Sequence, residues 1–352
     1  MHRALLLYLV AIVCLRAADN VILITADGLR WQDLFTGIDP KLMNEKTAGM
    51  AEGEELRKRF WNADSEIRRK TLLPFFWSTF APSGVVFGNV EKNSSVRVTN
   101  SYRVSYPGYS EILTGRSQDE VIRGNDKIQN PTQTVLEFIR ERLKLPSDKV
   151  AVFGTWDVFP YIAENKPGTI YINAGLDERG LRPDLLAVQR QIQTPWNGER
   201  FDYITLSAAL DYMRAHKPRV MFISLGETDD WAHDRRYDRV LTSIQFFDNA
   251  LRQVHEFVQK TPEYRGRTAI VVTSDHGRGA NLEDWHGHGS KVAGADQIWV
   301  AMSGPGIAPV GEAHDVPEHF QRDLAPTILK LLGIDPEEYK GATGSPLPVS
   351  AR

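Results

Sequence analysis

The stretch Asn20-Val-Ile-Leu-Ile-Thr-Ala-Asp27-Gly28 decides the fold. Its apolar and β-branched run has no polar face, so it reads as a strand covered on both sides, the habit of a parallel sheet. Four later runs repeat the pattern: Lys149-Val-Ala-Val-Phe153, Arg219-Val-Met-Phe-Ile-Ser224, Thr268-Ala-Ile-Val-Val-Thr273 and Asp296-Gln-Ile-Trp-Val-Ala301. Between and after them, Thr132 to Leu143, Phe201 to His216, Tyr237 to Lys260 and Phe320 to Leu332 place apolar residues at helical spacing. Gly333 stops the last of these. Alternating strands and helices predict an α/β fold: a doubly wound, mostly parallel central sheet with helices on both faces. In such sheets functional groups collect at the carboxyl edge of the strands.

The first 18 residues read differently. Met-His-Arg is followed by an apolar run from Ala4 to Leu15 and then Arg16-Ala17-Ala18. A basic start, a short apolar core and small residues at the end predict a signal peptide over 1–18, cleaved near Ala17 or Ala18. The run is too short for an ordinary membrane span. Export to a periplasmic or secreted location follows, with no membrane span after cleavage. Cys14 is the sole cysteine. A mature chain lacking it forms no disulfide and offers no thiolate, so a metal must use Asp, Glu, His and hydroxyl ligands.

The remainder, 19–352, reads as a single catalytic domain. Within it, residues 31–83 are charged and aromatic without strand periodicity, and are expected as an insertion beside the active-site mouth. Composition is ordinary for a globular chain of 352 residues, 42% hydrophobic and 25% charged. With 42 Lys and Arg against 45 Asp and Glu there is no basic surplus, which excludes an electrostatic nucleic-acid binder.

Chemistry-bearing residues gather at the strand ends. Asp27 ends the first run. Asp229 and His233 follow the third, four residues apart and on one side of a helix if that segment is helical. Asp230 and Asp234 compete with them. Asp275-His276 follow the fourth and need the turn at Gly277 and Gly279 to face one ion together. His286 and His288 precede the last run. Any one of these is more often a turn, a cap or a surface group, but together their Asp and His types suit a divalent metal such as zinc. Ser105, two residues before Pro107, lies near a predicted helix start, where backbone N–H groups and the dipole favour an anion. A metal can deprotonate such a serine for attack on phosphorus.

Asp27, Ser105 before Pro107, Asp229-x-x-x-His233, Thr273-Ser-Asp275-His276-Gly277 and a later His-Gly together resemble the alkaline phosphatase superfamily. The pattern is most similar to its type I phosphodiesterase/nucleotide pyrophosphatase branch and runs from Asn20 to Gly333. The resemblance implies two zinc ions, one held by Asp27, Ser105, Asp275 and His276, the other by Asp229, His233 and a third histidine. Spacing favours His288 for that role, with His286 as the alternative. It implies a secreted, metal-dependent phosphoric ester hydrolase, a phosphodiesterase or phosphomonoesterase of small molecules with a Ser105 nucleophile. Gly108 stands where the branch has an asparagine. The oxyanion contact is therefore expected from the Tyr106 backbone N–H, or from Arg103 or Arg278. A sulfatase of the same superfamily is the enzymatic alternative, but its Cys/Ser-x-Pro-x-Arg pattern fails at Tyr109. A non-catalytic binding protein on the same fold is the other.

Overall fold

The computed structural model describes residues 17–44, 48–50 and 53–349. The expected leader lies outside the described residues except for Ala17 and Ala18, and Cys14 lies outside them as well. The strands, in chain order, are β1 (Asn20–Ala26), β2 (Gly84–Phe87), β3 (Val96–Arg97), β4 (Val150–Gly154), β5 (Tyr171–Ala174), β6 (Val220–Leu225), β7 (Thr268–Thr273), β8 (Gln297–Ile298), β9 (Val300–Ser303), β10 (Gly311–Glu312) and β11 (His319–Phe320). The main sheet has the order β10-β2-β9-β7-β1-β6-β4-β5, and β11-β3-β8 form a small second sheet.

In the main sheet β7, β1, β6, β4 and β5 run parallel, while β9 pairs antiparallel with both β7 and β2. β1 sits at the centre. Its register sets Val21 beside both Val220 and Ala269. Alternate β1 residues feed two cores. Ile22 and Ile24 join Phe76, Trp77, Phe80 and Leu241 on one face, and Val21 and Leu23 join Tyr106, Tyr109 and Leu324 on the other. Burial on both faces is why the run carries no polar alternation. The mostly parallel sheet with helices around it agrees with the sequence reading.

Element boundaries moved for local reasons. The helix expected from Thr132 begins at Val135, because Thr134 caps it and exchanges side-chain bonds with Glu137. The run Asp296–Ala301 is not one strand. It divides at Trp299, which is fully buried and donates its Nε1–H to the Leu29 carbonyl at 2.9 Å. Residues 31–83 fold as the helices Trp31–Thr36, Gly53–Phe60 and Ser65–Leu72, then a π-turn over Phe76–Phe80. Their Leu34, Leu56, Phe60 and Phe76 enter the same core group as β1. Among the described residues no helix is long and apolar enough to cross a membrane.

Candidate metal centre and active site

Three elements that meet at the carboxyl end of β1 supply the site. Asp27 follows β1 directly. The helix Glu227–His233 follows β6 and carries Asp229 and His233. Asp275 and His276 follow β7, and His288 comes from the loop beyond. Asp202 fixes the start of the helix after β6, because its carboxylate accepts from the Gly226 N–H at 2.8 Å and the Thr155 hydroxyl at 2.6 Å.

Around these groups the hydrogen bonds follow one rule: the protein holds one polar atom and leaves its twin facing the centre. Tyr109 donates its hydroxyl to Asp27 Oδ2 at 3.0 Å, and Asp27 Oδ1 is buried without a hydrogen bond. The Gly28 N–H donates to Asp275 Oδ1 at 3.0 Å, and Asp275 Oδ2 is likewise left over. His276 turns its Nδ1 to the Gly277 carbonyl at 3.0 Å, and His288 turns its own to the Arg103 carbonyl at 3.1 Å. Both Nε2 atoms then face inward, the usual way in which the backbone orients a metal-binding imidazole.

The free atoms converge. His276 Nε2 lies 3.3 Å from Asp27 Oδ1, 3.4 Å from Asp275 Oδ2 and 3.7 Å from Asp229 Oδ1. His233 Nε2 lies 3.1 Å from Asp229 Oδ2 and 2.9 Å from His288 Nε2. Two ligand groups result: Asp27, Asp275 and His276, and Asp229, His276 and His288. Buried carboxylate oxygens without donors, next to inward-turned imidazole Nε2 atoms, fit a divalent cation. His286 keeps a buried, unpartnered Nε2 but stands outside both groups.

Electrostatics agree with that fit. Burial lowers the His276 imidazole, but Asp275 and Asp27 outweigh it and lift the group to about 9. Burial first, then the Asp27 charge, pushes Asp275 well above the carboxylate range. Burial, then the His276 charge, pulls His233 and His288 down, so both present neutral rings. Such strain among like charges is what a bound cation relieves.

Ser105 is the first residue of the helix Ser105–Thr114, and Val104 occupies the cap position. A capping role for the serine is thereby excluded. Its Oγ lies 3.4 Å from His276 Nε2 and lines a cleft of about 210 Å³ together with Asp27, Asp229, His233 and His288. The helix comes so close to the β7 end that a Cβ at Gly108 would collide with the Asp275 carbonyl. An asparagine therefore has no room at that position.

The expected oxyanion donors are engaged by the protein itself or stand outside the cleft lining. The Tyr106 N–H already donates to Asn125 Oδ1 at 3.0 Å. Arg278 is buried and spends its guanidinium on the Gly28 carbonyl at 3.2 Å, the Asp229 carbonyl at 3.1 Å, the His286 carbonyl and the Asp229 carboxylate. It braces the Asp229 turn from behind. Arg103 sits at φ 53° with its guanidinium 3.8 Å from Asp296, and contributes its carbonyl to His288. The cleft lining contains none of the three. It contains Asn125 instead, with Trp156, Glu199, Gly226 and Asp230. Residues 31–83 contribute nothing to that lining. Asn125 and Glu199 were missed because each stands alone in a polar loop.

Residues 199–336 match the family described as the Metalloenzyme superfamily, a span that holds Asp229, His233, Asp275, His276 and His288. Wild-type alkaline phosphatase PafA aligns with a TM-score of 0.60 at 12% identity, over 94% of this chain and 98% of that one. The fold is that of the alkaline phosphatase superfamily. Within this superfamily the phosphonate monoester hydrolase SpPMH from Silicibacter pomeroyi aligns with a TM-score of 0.55 at 16% identity, over 93% of this chain and 75% of that one. BT1596, a 2-O GAG sulfatase, aligns with a TM-score of 0.57 at 13% identity, over 94% and 73%. The chain has no match among curated proteins. Phosphatase and sulfatase neighbours share the alkaline phosphatase architecture, so the ester must be argued from the site.

Proposed function

We propose that this chain is an exported phosphodiesterase with a Ser105 nucleophile and two zinc ions. The convergence of the unpartnered oxygens of Asp27 and Asp275, and of the Arg278-braced Asp229 carboxylate, on His276 Nε2, with Ser105 Oγ beside them, carries the reading. Asp27, Ser105, Asp275 and His276 would hold one ion, and Asp229, His233 and His288 the other. Bound there, the ions would supply Lewis-acid charge that favours the Ser105 alkoxide and neutralises the leaving oxygen. Ser105 Oγ attacks phosphorus as its proton leaves, the P–O bond to one alcohol breaks and that alcohol departs, and the resulting serine phosphodiester is hydrolysed by water to the monoester and free Ser105. Asn125 holds its amide beside the helix start, where a non-bridging phosphoryl oxygen would rest.

Two observations favour a phosphate diester. Tyr109 occupies the place of the arginine that the sulfatase pattern requires, and its hydroxyl is committed to Asp27. The cleft lining also includes no Lys or Arg. A diester monoanion tolerates that lining better than a monoester dianion, because the protein offers no cationic side chain for a second negative charge.

The test is a screen of purified, zinc-loaded protein against aryl phosphate diesters, monoesters, phosphonates and sulfates. The diester should be turned over fastest. Preferred turnover of the sulfate would sink the reading. Export is supported by the residues of 1–18, and sequencing of the mature protein should begin near Ala18 or Asp19. An intact Met1 on the mature protein would remove that part.

A further inference from the structure

Glu111 is a fully buried carboxylate, on the helix Ser105–Thr114, that the mechanism above leaves out. It is spent on the turn that leads into that helix. Its Oε1 accepts from the Thr99 N–H at 2.9 Å and the Thr99 hydroxyl at 2.8 Å. Its Oε2 accepts from the Asn100 N–H at 2.8 Å and the Asn100 side-chain amide at 3.0 Å. The last of these bonds fixes the Asn100 amide with its Oδ1 turned to the Arg103 N–H at 2.8 Å. Arg103 stands at φ 53°, a left-handed conformation that a residue with a Cβ rarely adopts. So placed, its carbonyl meets His288 Nδ1 at 3.1 Å. A carbonyl only accepts, so the imidazole proton sits on Nδ1, and Nε2 is turned to Asp229 and His233.

Strained backbone of this kind persists only where its surroundings over-determine it, and it gathers where ligands are held. Satisfying Glu111 does not require it, since the donors of Thr99 and Asn100 already do so. What the left-handed residue adds is the carbonyl under the His288 ring. We infer that Glu111 and Asn100 are positioning residues for His288. Through the Arg103 carbonyl they fix the tautomer and direction of its ring, and so tie the Asp229, His233 and His288 ion site to the helix that carries Ser105. Neither residue touches the metal or the substrate. Arg103 serves this relay with its backbone, whereas its guanidinium lies 3.8 Å from Asp296.

The consequence for metal rests on the two-ion reading, so the test begins with a readout that needs neither metal nor turnover. Long-range proton–nitrogen NMR on histidine-labelled, metal-free protein should show His288, assigned by its loss in His288→Gln, protonated at Nδ1. In Asn100→Ala its ring nitrogens should shift toward the average of the two tautomers. Asn100→Ala/Arg103→Gly should regain most of the Nδ1–H form, because glycine adopts positive φ freely. Titration against a chromogenic chelator should show one of two zinc equivalents weakened about 10-fold by Asn100→Ala and the other unchanged. Glu111→Gln keeps the side-chain volume, sets an amide hydrogen against a donor, and should act in the same direction. Circular dichroism identifies a variant that fails to fold, and the other then reads the relay. An unchanged His288 spectrum in a folded variant overturns the inference. So does equal weakening of both zinc equivalents, which a general loss of scaffold would give. Absence of zinc binding by the unmutated protein, with the His288 shift intact, would reject the proposed function and keep the relay.

Discussion

At the residue scale the site depends on which atoms the protein ties down and which it leaves free. Ser105 Oγ has no capping bond to satisfy, and its one recorded hydrogen-bond contact is His276 Nε2. Ser105→Ala should reduce diester turnover by at least about a hundredfold while the fold survives, because positioned covalent attack gives way to poorly placed water. Ser105→Thr should keep part of the rate. Steady-state kinetics on both variants checks this, and near-normal turnover by the alanine variant would mean that another group attacks. Tyr109 acts one step further back. Thr25 donates to Ser224 at 3.0 Å, Ser224 to Tyr109 at 3.0 Å, and Tyr109 to Asp27 Oδ2 at 3.0 Å, all within the buried core. Tyr109→Phe breaks that chain at the carboxylate. Zinc affinity should fall about 10-fold or more, as is usual when the partner of a metal ligand is removed. Competition against a chromogenic chelator measures it, and unchanged affinity would show that Asp27 needs no such support.

At the element scale the approach of one helix to one strand end sets the geometry. The helix Ser105–Thr114 is buried along its whole length, and Gly108 is where it presses on the chain after β7. Gly108→Ala should cost about 1–3 kcal/mol through forced displacement and should weaken metal binding at the same time, since Asp275 must move. Thermal unfolding and a metal count report the two effects, and a variant with wild-type values for both would contradict the close contact. Legibility in the sequence follows the same physics. β1, β4, β6 and β7 were readable because burial on two faces leaves unbroken apolar runs. Gly84–Phe87 and Tyr171–Ala174 are four residues each, too short for a period to emerge. Asp27, Asp229, Asp275 and His276 could be read because each directly follows a strand or begins the helix after one. Asn125 could not, since its place beside Ser105 is made by a loop closing in space. The Tyr106 N–H and the Arg278 guanidinium, expected as oxyanion donors, are engaged elsewhere in this structure for a related reason. A sequence shows that a donor exists but not that a neighbouring carbonyl or amide already uses it.

At the scale of the whole molecule the site stores repulsion. Three carboxylates meet; Asp27 and Asp275 each have one oxygen held by a neutral donor, and among the described residues Arg278 is the one guanidinium that reaches the group, at Asp229. Chelation of the metal should therefore lower the unfolding temperature, and adding zinc back should raise it. A ligand present at a thousand times its dissociation constant stabilises the fold by about 4 kcal/mol per site. Differential scanning calorimetry with and without a chelator decides it, and identical transitions would argue against a resident cation. The central position of β1 has a consequence for how the chain is made. Val21 is synthesised early, and its partners Val220 and Ala269 arrive much later. On the ribosome the innermost strand must wait without neighbours while most of the polypeptide emerges. Closing so long a loop slows assembly. A nascent fragment that stops short of β6 has no partner strand for β1, and one that stops short of β7 lacks Asp275 and His276. The same delay keeps the chain unpaired, and so threadable, until its central strand finds its neighbours.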